Sequence, residues 1–455
     1  MPAKTLGSGN CLLIGNSRTE EMVGDLAELS PAARRAGGCS AQRTIWFARS
    51  GDILVLPYSP PKDYLRYVTG LLGIDPATLT VLVPPPGALG TDLITPDRTA
   101  AAGFRAALAA AVRQQRVTDV LAIYTDLATV QLAEAVGLQV PGHRFSAQAG
   151  DALVNSKAGF RALAGGTGAP IAPGLVTGRR CEAEHLIGEL LGSGRSVMLK
   201  REFTGGGQGN DLLTTAAGVR VAGTERAYVL PDRTAVADYL DSRWTWLTAG
   251  GRHQVVVEEY LADCDTVYAE YLIDDDGPVL TGIGELLMDP VAVGQITPAP
   301  ALDDAGKEAL LAAGASLVQA LHTIGYRGFV STDSLLTPDG DIVITETNGR
   351  ISGSTHLHMS IEARLLPEPH RGRRVLAEYF DLPVPSFGEA VSRLAAAGLA
   401  FDPTSGTGAL VTSCLLPDHT VSYCLVTRDW AAAEELRAAV LEVFAADRTL
   451  AGRPQ

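Results

Sequence analysis

Gly328-Phe-Val-Ser331-Thr-Asp333-Ser-Leu-Leu336, then Thr337-Pro-Asp-Gly340-Asp341, then Ile342-Val-Ile-Thr-Glu346-Thr-Asn348-Gly-Arg350: two strand-like runs flank a turn. Asp-Gly between such runs is a short-range hairpin signal, because glycine supplies the positive φ that a tight turn needs. A loop of two or of four residues sets Asp333 opposite Glu346 and Ser331 opposite Asn348; a three-residue loop would shift that pairing by one. Side chains two apart share a strand face, so Glu346, Asn348 and Arg350 are expected to continue the row that Ile342 and Ile344 begin. Two carboxylates opposite each other on a ladder, roughly 5 Å apart, are destabilising unless a cation lies between them. Asp, Glu and Asn oxygens without His or Cys are hard donors that suit Mg²⁺, which takes its remaining ligands from water and nucleotide phosphates. The alternative is an acidic hairpin on a solvated face. Asn348 and Arg350 completing the row, and the phosphate-binding elements upstream, favour the metal.

Those elements begin at Val197-Met-Leu-Lys200, an apolar strand ending in lysine, followed by Gly205-Gly206-Gly207-Gln208-Gly209. Backbone N–H groups of such a loop can wrap an anion, and Lys200 adds a point charge. No Gly-Lys-Ser/Thr follows, so it is not a Walker loop. Ser156 reads as the N-cap of a helix whose first turn carries Lys157, which alone would be an ordinary capped surface helix. Val255–Leu261 reads as an apolar strand with a polar edge, able to offer adenine a flat slot plus a backbone donor and acceptor. Asp265 is spaced to reach a ribose hydroxyl.

A chain of 455 residues is too long for one ordinary core and divides into roughly three units. Apolar runs at Cys11–Ile14, Asp52–Pro57, Thr80–Val83 and Val120–Tyr124, with a helix over Asp126–Val136, give residues 1–145 the alternation of a small parallel α/β domain. Gly7-Ser8-Gly9 precedes the first strand and reads as an entry loop, not a dinucleotide fingerprint. Residues 146–380 read as mixed α+β, with helices over Ser156–Leu163, Cys181–Leu191 and Asp303–Ile324. In residues 381–455 a hairpin, Thr407–Leu416 with Thr420–Val426, precedes a helix from Trp430 to Phe444. A net charge of −14 argues against a nucleic-acid partner. Six cysteines without CxxC spacing suggest neither zinc nor a disulfide framework, and no apolar run approaches a membrane span or a signal segment. A cytoplasmic protein fits these features.

In this order the parts resemble the ATP-grasp superfamily over about Gly150–Pro367: a lysine-bearing helix, a strand lysine with a glycine-rich flap, an acidic linker strand, then an Asp strand and an E-x-N-x-R strand. The phrase Glu346-Thr-Asn348-Gly-Arg350-Ile-Ser-Gly-Ser354-Thr355-His356 is similar to the pheganomycin-type peptide ligases, a likeness that extends over essentially the whole chain. The resemblance implies an ATP-grasp fold, with an N-terminal pre-ATP-grasp α/β domain and a small C-terminal α+β domain. It further implies that Lys157 and Lys200 contact ATP phosphates and that Gly205–Gly209 cover them. Glu258 with the Tyr260–Leu261 backbone would hold adenine, Asp265 the ribose, and Asp333, Glu346 and Asn348 Mg²⁺. Arg350 would steady the transferred phosphate or the acyl oxygens. One departure stands out: many relatives carry Arg two residues before the metal-binding Asp, and here that position is Ser331.

The expected activity is an ATP-dependent amide-forming ligase of peptide natural-product (antibiotic) biosynthesis. It would join the carboxylate of an N-blocked or guanidino amino acid to a peptide N-terminus through an acylphosphate. Ser354, Thr355, His356 and His358 follow the metal strand and are candidates for touching the acyl or amine substrate. A guanidino donor would suit a negative pocket. Two rival readings are a small-molecule kinase and a nucleotide-binding regulatory module without turnover. The sequence leaves open whether a second copy of the chain is a partner.

Overall fold

Short apolar runs with long connections can only be parallel strands, since a parallel pair needs a crossover of a dozen or more residues. The computed structural model describes residues 9–445, the side chain of Asp381 excepted; Gly7 and Ser8 of the expected entry loop lie outside it. The runs become β1 (Asn10–Ile14), β2 (Ile53–Val55), β3 (Thr80–Leu82) and β4 (Val117–Ala122), all parallel in the order β3-β2-β1-β4. The expected helix is Leu127–Ala135, with the Asp126 carboxylate accepting from the Thr129 N–H at 2.7 Å. β1 is buried on both faces, as a central parallel strand must be. Leu12 and Ile14 pack with Phe104 and Leu108 of the helix Ala102–Gln115. Cys11 and Leu13 join a larger core that includes Trp46, Leu54 and Tyr64, together with Leu376, Leu410 and Leu425 from far along the chain.

Two antiparallel-rich sheets follow. The first contains β5 (Gly174–Thr177), β6 (Val197–Arg201), β7 (Asn210–Thr214), β8 (Ala227–Val229) and β9 (Val255–Glu259), in the order β5-β9-β6-β7-β8. The second is formed by β10 (Asp265–Asp274), β11 (Gly277–Met288), β12 (Ala292–Thr297), β13 (Gly328–Leu336), β14 (Ile342–Asn348), β15 (Val375–Pro383), β16 (Gly408–Val411) and β17 (Thr420–Thr427). Its order is β14-β13-β10-β11-β12-β15-β17-β16. The expected 380/381 boundary therefore falls inside β15, a strand that ties the central unit to the C-terminal hairpin. The first and last units also touch directly: the Trp46 indole N–H and the Tyr64 hydroxyl both donate to the Thr412 carbonyl, at 2.9 and 3.1 Å.

The site hairpin forms by a route the sequence reading did not anticipate. Near the turn the pairs are Leu336 with Ile342 and Ser334 with Ile344. That is the register of a three-residue connection, closed by Thr337 N–H to the Asp341 carbonyl at 2.9 Å, with Gly340 at φ +88°. An irregularity then leaves Thr345 without a partner, and beyond this bulge Asp333 faces Glu346 and Ser331 faces Asn348. The bulge also reverses which face each side chain takes. Ile344 packs with Phe160, Ala164 and Leu317 of the helices Lys157–Thr167 and Asp304–Ile324, whereas Glu346 and Asn348 line the opposite, cleft side. The expected continuous row Ile342–Ile344–Glu346–Asn348 is thus corrected: the apolar pair anchors the strand to the helices, and the polar pair points away from them.

Candidate active site

The two sheets enclose a cleft of about 740 Å³ whose walls also include residues of the N-terminal domain. Asp333, Glu346 and Asn348 lie together on its floor. The Asn348 amide N–H donates to Asp333 Oδ2 at 2.9 Å and Glu346 Oε1 at 3.4 Å, and the Ser331 hydroxyl donates to Asp333 Oδ1 at 2.5 Å. Burial, then the Glu346 carboxylate, pushes the Asp333 carboxyl above the usual range. Burial alone would raise Glu346 too, but Lys157, Lys200 and Arg350 outweigh it and hold Glu346 low. Among the described residues no three His, Cys, Asp or Glu side chains form a metal cage. Two facing carboxylates and an amide are nevertheless the protein's share of a magnesium site that phosphates complete, so the donor set fits that ion.

Both lysines reach the same floor. Ser156 caps the helix Lys157–Thr167 through the Gly159 N–H at 3.0 Å, which sets Lys157 Nζ 3.1 Å from Glu346 Oε2 and 2.6 Å from the Thr204 carbonyl. Lys200 Nζ lies 2.6 Å from Glu258 Oε1 and 3.4 Å from the Thr345 carbonyl. Gly205, Gly206, Gly207 and Gln208 roof the cleft, with positive φ at Gly206 and Gly207; Gly209 is not part of the lining. Arg226, which the sequence reading missed, secures this roof: it donates to the Gln208 carbonyl, to the Asn210 carbonyl at 3.0 Å and to buried Asp211, and stacks on Trp246. Arg226→Met is therefore expected to raise the KM for nucleotide about 3–10-fold, with kcat within about threefold, since it removes one or two charge-assisted hydrogen bonds from the roof. Steady-state kinetics with ATP as the varied substrate check this, and an unchanged KM contradicts it.

Ala172, Met198, Leu286, Met288 and Leu335 line an apolar slot beside Tyr260 and Leu261. The Tyr260 hydroxyl is fixed by the Ala222 N–H at 2.9 Å and the Arg220 carbonyl at 2.8 Å. Glu258 also lines the cleft but is buried between Lys200 and Arg161, each 2.6 Å from one carboxylate oxygen. Asp265 is corrected: it is exposed and outside the lining, whereas its neighbours Asp263, at φ +56°, and Thr266 line the cleft. The candidates after the metal strand are also corrected. Only Ser354 lines the cleft, with its hydroxyl on Glu270 Oε2 at 2.9 Å. Thr355 is bound to Glu270, His356 Nε2 lies 2.9 Å from Glu378 Oε1, and His358 Nε2 lies 3.1 Å from the Tyr268 hydroxyl. All three are buried, because the chain turns inward into a wide helical turn over Leu357–Leu365.

Two arginines of the N-terminal domain, Arg18 and Arg43, line the cleft beside Arg350 and were also missed. Burial first, and then the charges of Arg350 and Arg43, lower the Arg18 guanidinium to about 10. No spacing motif marks them, since Arg18 follows β1 and Arg43 lies in the short helix Gln42–Phe47, and they meet the central unit only in the folded chain.

Comparison with known proteins agrees with this architecture. Residues 157–362 match the carbamoyl-phosphate synthase L chain ATP-binding domain, residues 41–138 the pre-ATP-grasp domain and residues 389–440 the PGM1 C-terminal domain. No curated protein matches the chain. Among solved structures, an ADP complex of N5-carboxyaminoimidazole ribonucleotide synthetase superposes with TM-score 0.58 at 14% identity, covering 97% of this chain and 98% of that one. The Campylobacter jejuni biotin carboxylase gives 0.56 at 15% identity, covering 95% and 91%. The biotin carboxylase domain of the Hydrogenobacter thermophilus 2-oxoglutarate carboxylase, solved with MgADP, gives 0.55 at 14% identity, covering 94% and 89%. The fold is ATP-grasp, with a pre-ATP-grasp N-terminal domain and a small C-terminal domain.

Proposed function

We propose that the protein is an ATP-dependent carboxylate–amine ligase, and more finely a peptide ligase that couples an N-blocked amino acid to a peptide N-terminus. The observation that carries the reading is the convergence of Asp333, Glu346, Asn348, Lys157, Lys200 and Arg350 at one end of a single cleft. Phosphoryl transfer needs positioning and neutralised charge more than a covalent nucleophile, and this cluster supplies both. In this reading the substrate carboxylate attacks the γ-phosphorus of ATP, ADP leaves, and an amine then displaces phosphate from the acyl carbon. Lys157 and Lys200 offset phosphate charge, the Gly205–Gln208 roof excludes water, and Arg350 steadies the transferred group. Magnesium held by Asp333, Glu346 and Asn348 would add charge neutralisation on the phosphates.

A volume of about 740 Å³ lies in the upper part of the roughly 300–1,000 Å³ range of ligand pockets, which suits a nucleotide with a second substrate beside it. The guanidino form of the donor finds little support. Asp25, Glu28, Glu258 and Glu259 on the cleft wall are each paired with a basic side chain, which leaves exposed Asp263 outside the metal set. Product analysis tests the reading: amide, ADP and phosphate are expected from ATP, an N-blocked amino acid and a short peptide. A stable phosphorylated acid or alcohol would make it a kinase. Nucleotide binding without ADP release over a broad panel would make it a regulatory module.

A further inference from the structure

Arg18 follows β1 directly, at the carboxyl end of the parallel sheet, where open α/β sheets place their ligand-binding loops. Its stem lies against Gly37, where an added Cβ would come 2.9 Å from Arg18 Cγ, and the Ser17 hydroxyl donates to the Gly37 carbonyl. This packing fixes where the side chain points. Arg43 lies just beyond the same helix, Pro31–Ala41. Neither they nor Arg350 form an ion pair among the described residues. Their protein acceptors are neutral oxygens: Ser17 carbonyl to Arg18 at 2.9 Å, Gly353 carbonyl to Arg43 at 3.4 Å, and Asn155 Oδ1 to Arg350 at 2.7 Å. The carboxylates that act on Arg43 through space, Glu270 and Glu378, are already engaged: Glu270 by Ser352, Ser354 and Thr355, and Glu378 by His356, Thr412 and Gln295.

Three guanidinium groups on one cleft wall repel one another; Glu346 and Asp333 offset only Arg350, and only through space, and a fork of N–H donors is shaped for a carboxylate. We propose that Arg18 and Arg43 form, with Arg350, the subsite that receives the carboxylate of the acid substrate, so that the pre-ATP-grasp domain takes part in substrate selection. The assignment rests on the ligase reading for the identity of the acid, but not for the existence of the anion site. It also supplies charge from another domain where Ser331 carries none.

Two measurements test it. In the first, thermal unfolding is followed with saturating ADP and added formate, acetate or N-acetylglycine, at ionic strength matched with sodium chloride. These acids share only the carboxylate. The wild-type midpoint is expected to rise, and the Arg18→Met/Arg43→Met protein to lose that rise; no rise in wild type, or an equal rise in the variant, overturns the subsite. If the double variant does not fold, Arg18→Lys and Arg43→Lys replace it, keeping the charge and losing the fork. In the second, with an acid that the wild type ligates, the variant's KM for the acid is expected to rise at least about 30-fold with KM for ATP within about threefold. A rise confined to ATP shows that the anion is the nucleotide's and overturns the assignment. Absence of amide product from wild type with every acid removes the ligase reading, while the unfolding measurement still decides the anion site.

Discussion

Glu346→Gln is expected to lower turnover by about 10³-fold while tightening the binding of ADP in the absence of magnesium. The two effects have opposite signs because Glu346 has two sets of neighbours. On one side it shares the Asn348 amide with Asp333; on the other its Oε2 lies 3.1 Å from Lys157 Nζ, within the fields of Lys200 and Arg350. Glutamine keeps the shape and removes the charge. The metal site then retains one carboxylate, so the gain in nucleotide affinity that magnesium brings should disappear. The two lysines, no longer compensated by Glu346, should hold magnesium-free phosphates about 3–10-fold more tightly. Calorimetric titration of ADP with and without magnesium measures both. A variant whose ADP affinity still rises with magnesium as the wild type's does would show that Glu346 is not a ligand.

Glu346 also shows what a sequence can reveal and where it stops. Its pairing with Asp333 was readable from the Asp-Gly turn, and the pairing is correct, yet the reading assumed a regular ladder. The structure reaches the same pairing through a three-residue turn and the Thr345 bulge, and periodicity cannot mark a bulge because the extra residue resembles its neighbours. Strand β11 was missed for a related reason. Gly282 and Gly284 lower the strand signal, but they are required: a Cβ at Gly284 would come 2.3 Å from the Tyr268 hydroxyl, and at Gly282 equally close to the His358 ring. Local order made the phosphate elements legible, because Lys157, Lys200 and the glycine roof each sit at a strand end or helix start with its own signature. Arg18, Arg43 and Arg226 carry no such signature. Arg18 and Arg43 reach the cleft from another unit, and Arg226 meets Gln208, Asn210, Asp211 and Trp246 only when the central unit folds, contacts that single-chain patterns do not encode. Conversely, His356 and His358 looked functional only because polar residues after a metal strand are expected to face the ligand; here the backbone turns and buries them.

The second large effect is expected from Arg350→Ala: turnover about 10²–10³-fold lower, with KM for ATP within about threefold. Arg350 follows the metal strand, and Asn155 holds it from behind. The Asn155 side chain accepts from the guanidinium at 2.7 Å and donates to the Gly349 carbonyl at 3.1 Å, fixing both the backbone and the charge. The far side of the guanidinium reaches beneath the roof, within 3.7 Å of where a Cβ on Gly205 would stand. In the proposed ligase a group so placed would meet the transferred phosphate beneath the roof, where charge builds up during transfer, and would have little contact with the adenine slot. Its loss should therefore appear in kcat rather than in nucleotide binding. Ser331 cannot substitute, because its hydroxyl is committed to Asp333. Arg350→Lys should recover little, since an ammonium lacks the planar fork that spans two oxygens. Arg350, which also borders the proposed acid subsite, differs from Arg18 and Arg43 in the loss of turnover: their removal is expected to weaken the acid and leave the phosphate step intact. Near-normal turnover in a folded Arg350→Ala protein would contradict this assignment, and the charge for the transferred phosphate would then have to come from Lys157 and Lys200 alone.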